Sequence, residues 1–256
     1  MKNIDISSLC YNAAKEAGDF LKASFADPIS QITKKADGSF STNIDHISEK
    51  LVVSKIKSVF PNHTIIGEES GLSKGSSEYT WIIDPLDGTH NFIKKSHNFG
   101  VSVGVALNGE FIIGAIYLPM FDEFYFAEKN SGTMKNDIKI RGKDCSFEDS
   151  TIIFDADFKS NSGMNIKYLS EISRNCFGIR ILGASSRELT YIAEGVLDGA
   201  VQFNDPAWDF AAAAVILSES GSIITSLDGS PLNIDSKGFI AGSKQVHREL
   251  CEILKG

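Results

Sequence analysis

Between residues 4 and 25 the apolar residues Leu9, Ala13, Ala14, Ala17, Phe20 and Leu21 recur every three or four positions. That spacing predicts an amphipathic helix, which Asp27-Pro28 brings to an end. A second stripe, Ile44, Ile47, Leu51, Ile56 and Val59, predicts a helix over residues 43–60 with Pro61-Asn62 as its stop. The segment between them, Lys34 to Ser39, reads as a turn. Past residue 60 the period changes to short apolar runs, at 63–66, 80–83, 99–107, 110–118 and 123–127, which predict strands. Asn108-Gly109 separates two of them and is the strongest hairpin signal in the chain, because both residues tolerate the positive φ of a type I′ turn. The expected result is an antiparallel sheet packed on the two N-terminal helices.

Beyond about residue 145 strands and helices alternate. Strands are predicted at 151–154, 178–182 and 198–203, with helices at 165–175, 185–194, 206–220 and 244–254. This describes a second α/β layer. With no internal repeat, low-complexity tract or flexible linker, the chain is expected to form two subdomains sharing an interface, 1–145 and 146–256. At 256 residues and 42% hydrophobic content there is ample material for a core, which sets disorder aside.

A net charge of −8 and the lack of any run of five Lys or Arg exclude a surface that tracks long nucleic acid. An acidic chain still handles an anionic substrate when bound divalent cations invert the local charge. The four cysteines are scattered, without a Cys-x-x-Cys pair, and suit a reducing compartment. The N-terminus lacks an apolar signal core and no apolar run approaches 18 residues, so a cytoplasmic, non-spanning protein is expected.

Trp81-Ile82-Ile83-Asp84-Pro85-Leu86-Asp87-Gly88-Thr89 is the most informative stretch, an apolar strand ending abruptly in two carboxylates, a Pro, a Gly and a hydroxyl. Pro85 fixes φ, so the chain turns and Asp87 can point back toward Asp84. Gly88 permits close backbone approach, and the amides of Gly88 and Thr89 could open a short helix facing a phosphate. Alone, the same pentapeptide also describes a tight turn. Ile65-Ile66-Gly67-Glu68-Glu69-Ser70 is another apolar run ending in acids. If it pairs beside the Trp81 strand, Glu68 joins Asp84 and Asp87, and such a group of carboxylates calls for hard cations. In Asp205-Pro206-Ala207-Trp208-Asp209, Asp205 and Pro206 resemble an N-cap and first helical residue, and Asp209 lies in the first turn beside a Trp.

Together, Gly67 to Ser70, Trp81 to Thr89 with Asn91-Phe92, and Pro206 to Asp209 resemble the signatures of the inositol monophosphatase family. Their order and spacing, with Asp84 16 residues after Glu68 and Asp209 125 after Asp84, carry the resemblance across nearly the whole chain. Gly132, Asn136, Ile138 and Gly183 also look like landmarks of it.

The resemblance implies a layered α-β-α-β-α fold, commonly a homodimer, and Mg²⁺-dependent, Li⁺-sensitive hydrolysis of a phosphate monoester. It implies two or three Mg²⁺ ions, for which Mn²⁺ can substitute. Glu68, Asp84 and the Leu86 carbonyl would hold one, and Asp84, Asp87 and Asp209 another, with Asp84 bridging. Thr89, paired with Asp45 on the second helix, would orient the attacking water together with Glu68. Substrate contacts are expected from Asp87, Gly88, Thr89, His90, Gly183, Ser185, Gln202 and Asp209. The expected substrate is a small phosphorylated polyol, sugar or nucleotide.

Other chemistries fit less well. Gly183-Ala184-Ser185-Ser186-Arg187 lacks the second Gly of a nucleophile elbow, which leaves Ser185 as a helix cap or substrate contact. Gly238 to Lys244 misses P-loop spacing. None of His46, His63, His90, His97 and His247 has zinc spacing, and all read as surface or loop residues, with His90 alone positioned to face a leaving group. Inositol-handling members of the family often carry an acid where this chain has Gln202. That difference leaves fructose-1,6-bisphosphate, histidinol phosphate and 3′(2′),5′-bisphosphonucleosides open beside inositol-1-phosphate. Arg187 is either a contact for a second anion or a solvated helix residue. The non-enzymatic alternative is a regulatory binding protein that retains the metal site.

Overall fold

A computed structural model describes residues 5–36, 38–159 and 162–255. Helix α1 (Ile6–Ser24) is N-capped by Asp5, whose carboxylate accepts from the Ser8 amide; the expected start at Ile4 lies outside the described residues. Strands β1 (Ile32–Lys34) and β2 (Phe40–Thr42) form a two-stranded hairpin around the expected turn, in which Asp37 is likewise outside the described residues. Helix α2 (Asn43–Val59) follows directly, opened by a capping box in which the Thr42 hydroxyl and the Asp45 carboxylate each satisfy a backbone amide.

The large sheet is built from β3 (Thr64–Gly67), β4 (Gly71–Ser73), β5 (Tyr79–Asp87), β6 (Gly100–Leu107), β7 (Glu110–Leu118), β8 (Glu123–Glu128), β9 (Gly132–Lys135) and β10 (Ile138–Ile140). The short helix α3 (Thr89–Ile93) leaves the end of β5. The spatial order is β10-β9-β8-β7-β6-β5-β3-β4. All its pairs are antiparallel but one: β3 runs parallel to β5, with Ile66 opposite Ile82 and Gly67 opposite Ile83. The sheet is therefore mixed, not antiparallel as expected. The parallel pair matters because it brings the C-terminal ends of both strands, and their acids, to one edge. Asn108 (φ 51°) and Gly109 (φ 84°) make the β6–β7 turn as the sequence predicts.

The second sheet has the order β12-β11-β13-β15-β14, made from β11 (Thr151–Phe154), β12 (Gly178–Arg180), β13 (Gly199–Gln202), β14 (Ile223–Thr225) and β15 (Phe239–Gly242). Helices α4 (Ser162–Asn175), α5 (Ser185–Glu194), α6 (Ala207–Ser220) and α7 (Lys244–Lys255) complete the chain. Alternation along the strands sorts side chains between cores. Trp81, Ile83, Val101, Val103 and Val105 pack with α1 and α2, whereas Ile82, Ala106 and Ile116 face α5, α6 and the inner side of the second sheet. A third cluster, with Phe154, Val201, Ile240, Val246 and Leu250, lies between that sheet and the outer helices α4 and α7. The layers are α-β-α-β-α, as the resemblance implies.

Candidate metal centre and adjoining cleft

Strand β5 breaks register with β6 between Asp84 and Asp87, so it bulges where its two acids stand. Asp84 and Asp87 are both buried, and carboxylate oxygens of Asp84, Asp87 and half-buried Asp209 lie within 4.8 Å of one another. Asp84 turns back to accept from the Leu86 amide (3.0 Å). Gly88, at φ 80°, lets the chain enter α3 under tight cover: a Cβ there would come within 2.8 Å of the Asn98 carbonyl oxygen.

Asp87 also ties the large sheet to α5. Its oxygens accept from the backbone amides of Ser185 (3.1 Å) and Ser186 (2.7 Å), and from the Ser186 hydroxyl, which places the N-terminus of α5 against the end of β5. Asn91 on α3 adds to this joint by donating to the carbonyls of Asn98, Leu182 and Gly183. Asp209 arrives from the first turn of α6, whose small residues Ala211 and Ala212 pack directly on Gly104 and Gly114 of β6 and β7.

The Thr89 hydroxyl sits 2.8 Å from Asp45 Oδ1 and 3.0 Å from the Leu86 carbonyl oxygen. Asp45, fully buried, accepts from the Thr42 amide and hydroxyl as well. Glu68 stands just past β3, its amide donating to the Ile83 carbonyl. It lies outside the group of three oxygens, and Lys35 grips it at 2.7 Å and Glu69 at 2.6 Å. Lys35 stands in the predicted turn, and nothing in the sequence signals this ion pair across β2, α2 and β3.

The electrostatics are those of crowded acids. Burial, and then the charges of Glu68, Asp87 and Asp209, hold the Asp84 carboxyl well above its usual range. Burial, and then Asp205, Asp87 and Glu68, do the same to Asp209. Burial lifts Asp87 against hydrogen bonds from Ser186, Ser185 and Gly88 that pull it down. Burial pushes Glu68 up to about 7, with Lys35 opposing. Burial also raises Asp45, against its bonds from Thr42 and Thr89. A donor set of oxygens only, strongly anionic and shielded from water, suits a hard divalent cation. The inositol monophosphatase family model matches residues 4–256.

The chain belongs to the inositol monophosphatase family. A fructose-1,6-bisphosphatase/inositol-1-monophosphatase of Aquifex aeolicus is 36% identical over 249 residues, 95% of this chain and 92% of that one. A protein named Nus factor SuhB, from Escherichia coli K12, is 31% identical over 93% of this chain and 91% of its own length. The crystal structure of the extragenic suppressor protein suhB from Bartonella henselae superposes with a TM-score of 0.92 at 29% identity, covering 96% of this chain and 97% of that one.

Beside the three aspartates this family member has a cleft of about 210 Å³ lined by Asp87, Gly183, Ser185, Gln202 and Asp209 among others. These expected contacts are therefore brought together. Gly88, Thr89 and His90 are not among them; His90 is exposed and stacks on Phe40 with ring centroids 5.6 Å apart. Ser185 opens α5 but its hydroxyl does not cap it, donating instead to Asp205 at 2.8 Å. Asp205 is thereby drawn to the cleft and away from α6, whose N-cap is Pro206, so the expected Asp205-Pro206 cap pair is shifted by one residue.

Gln202 donates to Glu188 at 2.7 Å, and Glu188 also accepts from the amides of Leu182 and Gly183. Arg187 is neither solvated nor an anion contact for the cleft. Only 1% exposed, it pairs with Glu123 and Glu194 and lies over the Tyr191 ring, pinning α5 to β8. One histidine departs from the surface or loop reading, His247, which is buried on α7 against Thr225; His63 stands in the loop before β3 but is buried there, accepting from the Trp81 indole at 3.0 Å. The sequence reading missed Asp155 and Asp157, which line the cleft just past β11; an acid after a short strand is an ordinary turn signal, and only the sheet order brings β11 beside β13.

Proposed function

We propose that this protein hydrolyses a small phosphate monoester, of which inositol-1-phosphate is the type, to an alcohol and inorganic phosphate in a Mg²⁺-dependent reaction. The observation that supports this most is the meeting of Asp84 and Asp87 of one strand with Asp209, remote from them in sequence, within 4.8 Å beside the Thr89–Asp45 pair. Glu68, Asp84 and the Leu86 carbonyl would hold one Mg²⁺, and Asp84, Asp87 and Asp209 a second, with Glu68 available to a third and Mn²⁺ able to replace them. Bound there, the ions supply neutralisation of the phosphoryl oxygens, a more acidic water and a partner for the departing oxygen.

The protein's own part is positional. Thr89 donates its proton toward Asp45, which leaves its oxygen lone pairs to accept from a water and turn that water's own lone pair toward phosphorus. Glu68, released from Lys35, accepts the water's other proton. Water oxygen then bonds to phosphorus, the ester P–O bond breaks on the opposite side, and the departing oxygen takes a proton from a water in the cleft at Gly183, Ser185 and Gln202, while Glu68 passes its own proton to the hydroxide so formed. Burial of Asp45 keeps the Thr89 hydroxyl from rotating away.

We further propose a cytoplasmic homodimer acting on a phosphorylated polyol, sugar or nucleotide. Among the described residues no helix is long and apolar enough to cross a membrane. A second reading, a regulatory binding protein that retains the metal site, draws on the relative named Nus factor SuhB. Phosphate release from inositol-1-phosphate, fructose-1,6-bisphosphate, histidinol phosphate and an adenosine bisphosphate, with Mg²⁺, with EDTA and with added Li⁺, separates the two. Mg²⁺-dependent, Li⁺-inhibited release supports the phosphatase; no release from any ester favours the binding protein.

A further inference from the structure

Helix α2 buries three polar side chains on one side. Asp45, Ser48 and Glu49, spaced at i, i+3 and i+4, are 0%, 0% and 3% exposed. Each grips a stretch of chain beside an expected metal ligand. Asp45 accepts from Thr89, whose hydroxyl also reaches the Leu86 carbonyl. The Ser48 hydroxyl donates to the Pro85 carbonyl at 2.8 Å, inside the β5 bulge. Glu49 reaches the turn after β3, where its Oε2 accepts from the Glu69 amide at 2.9 Å. The same oxygen lies against Gly67, since a Cβ there would stand 2.5 Å from it. The Glu49 carboxylate therefore touches the residue on either side of Glu68. Among the described residues it forms no salt bridge. Burying a carboxylate that no cation offsets is costly. An apolar residue at position 49 would avoid that cost, but it would leave the Glu69 amide without this partner.

We propose that Glu49 is a positioning residue for Glu68: by holding the Glu69 amide and abutting Gly67 it fixes the backbone on both sides of Glu68, and so sets where the Glu68 carboxylate stands relative to Asp84 and the Leu86 carbonyl. This rests on the metal ligands of the phosphatase reading and deepens it. The Glu68 amide already ties the turn to β5 through the Ile83 carbonyl, one residue before Asp84. Glu49 and Ser48, on adjoining positions of one rigid helix, tie the turn and the bulge to a common base. Lys35 fastens Glu68 by its side chain alone, so a cation that takes the place of Lys35 leaves the backbone hold intact. Asp87 and Asp209 are placed otherwise, by the first amides of α5 and the first turn of α6. A change at Glu49 thus reaches the ion at Glu68 and spares the ion among Asp84, Asp87 and Asp209.

The test withdraws the acceptor. Glu49→Met removes it at similar length, Glu49→Asp keeps the charge but draws it back by one methylene, and Glu49→Gln keeps an acceptor oxygen in place. In metal-free protein the Glu69 amide, followed by NMR, is expected to exchange faster with deuterium in Glu49→Met and Glu49→Asp and to return toward the parental rate in Glu49→Gln. Calorimetric titration with Mn²⁺ is expected to show one ion bound about 10- to 100-fold more weakly in the first two variants, the loss met when the partner behind a metal ligand is removed, with the other ion unchanged. In a Glu68→Gln background Glu49→Met is expected to weaken Mn²⁺ no further, because the two side chains act through one ion. If Glu49→Met does not fold, Glu49→Asp decides by the same readings. Parental Mn²⁺ binding in the variants, or a loss that persists undiminished beside Glu68→Gln, overturns the inference whatever the melting temperatures do. A parent protein that binds Mn²⁺ as expected yet releases phosphate from no ester removes the phosphatase reading and leaves the inference standing.

Discussion

At the scale of the residue, the metal centre is a set of acids that the fold keeps together against their own repulsion. Asp84 is buried and faces Glu68, Asp87 and Asp209 at once, which holds its carboxyl well above the usual range. Asp84→Asn removes one repelling charge, so the metal-free variant is expected to melt higher than the parent while its kcat/KM falls by at least about 100-fold, the upper end of losses seen for groups one step further from a metal. Thermal scans in EDTA beside phosphate-release assays check both halves, and a lower melting point with intact turnover would contradict the assignment. The cleft acids add a pH signature. Burial pushes Asp205 up to about 7 and Glu188 to about 8, with neighbouring acids adding to both. Folded, these groups hold their protons to higher pH than they do unfolded, so the folded state binds more protons across that range and stability falls as pH rises. Metal-free protein is therefore expected to lose melting temperature steadily between about pH 4.5 and 8. Glu188→Gln should flatten the upper part of that slope.

At the scale of the element, the site depends on α6 lying very close to the large sheet. A Cβ at Gly114 would come within 2.1 Å of the Ala212 carbonyl oxygen, so Gly114→Ala must lift the helix that carries Asp209. The expected cost is about 1–3 kcal/mol in urea unfolding, as for other overpacked contacts, together with weaker Mg²⁺ binding by calorimetry although residue 114 touches no metal ligand. Unchanged Mg²⁺ affinity would mean that α6 placement and the metal centre are independent. The helices were readable from sequence to within a few residues because their stripes are long; α2 was expected at 43–60 and runs Asn43–Val59. Short strands were legible unevenly. β3, β11, β12 and β13 fall on predicted apolar runs, whereas β14 and β15, each of three or four residues, were missed although β15 lies between β13 and β14 in the second sheet. The parallel pairing of β3 with β5 was missed for a different reason, since strand direction is decided by the crossover through β4 and the following turn, not by the residues of either strand. Asp84, Asp87 and Asp209 were legible because each acid interrupts or opens an apolar element at its end. Arg187 misled because a guanidinium four residues past Gly183 looks the same in sequence whether it meets water or the two glutamates of β8 and α5.

At the scale of the whole molecule, the site is a joint between layers. β5 supplies Asp84 and Asp87, α2 supplies Asp45, α6 supplies Asp209, and α5 docks its first amides on Asp87. Divalent ions that bind the folded chain alone should stabilise it as a unit, by about 2.7 kcal/mol at a concentration 100 times the dissociation constant. The melting temperature is expected to climb with Mg²⁺ or Mn²⁺ and to stay put with Asp209→Asn, whose acid comes from the opposite side of the joint from Asp84. Light scattering that returns a single-chain mass would remove the proposed homodimer without touching the chemistry. The most direct test of the account is anomalous diffraction from crystals grown with Mn²⁺ and phosphate. Strong peaks enclosed by Asp84, Asp87 and Asp209, with Glu68 swung in beside them, are predicted; Mn²⁺ bound elsewhere, or no anomalous signal among these acids, would contradict it.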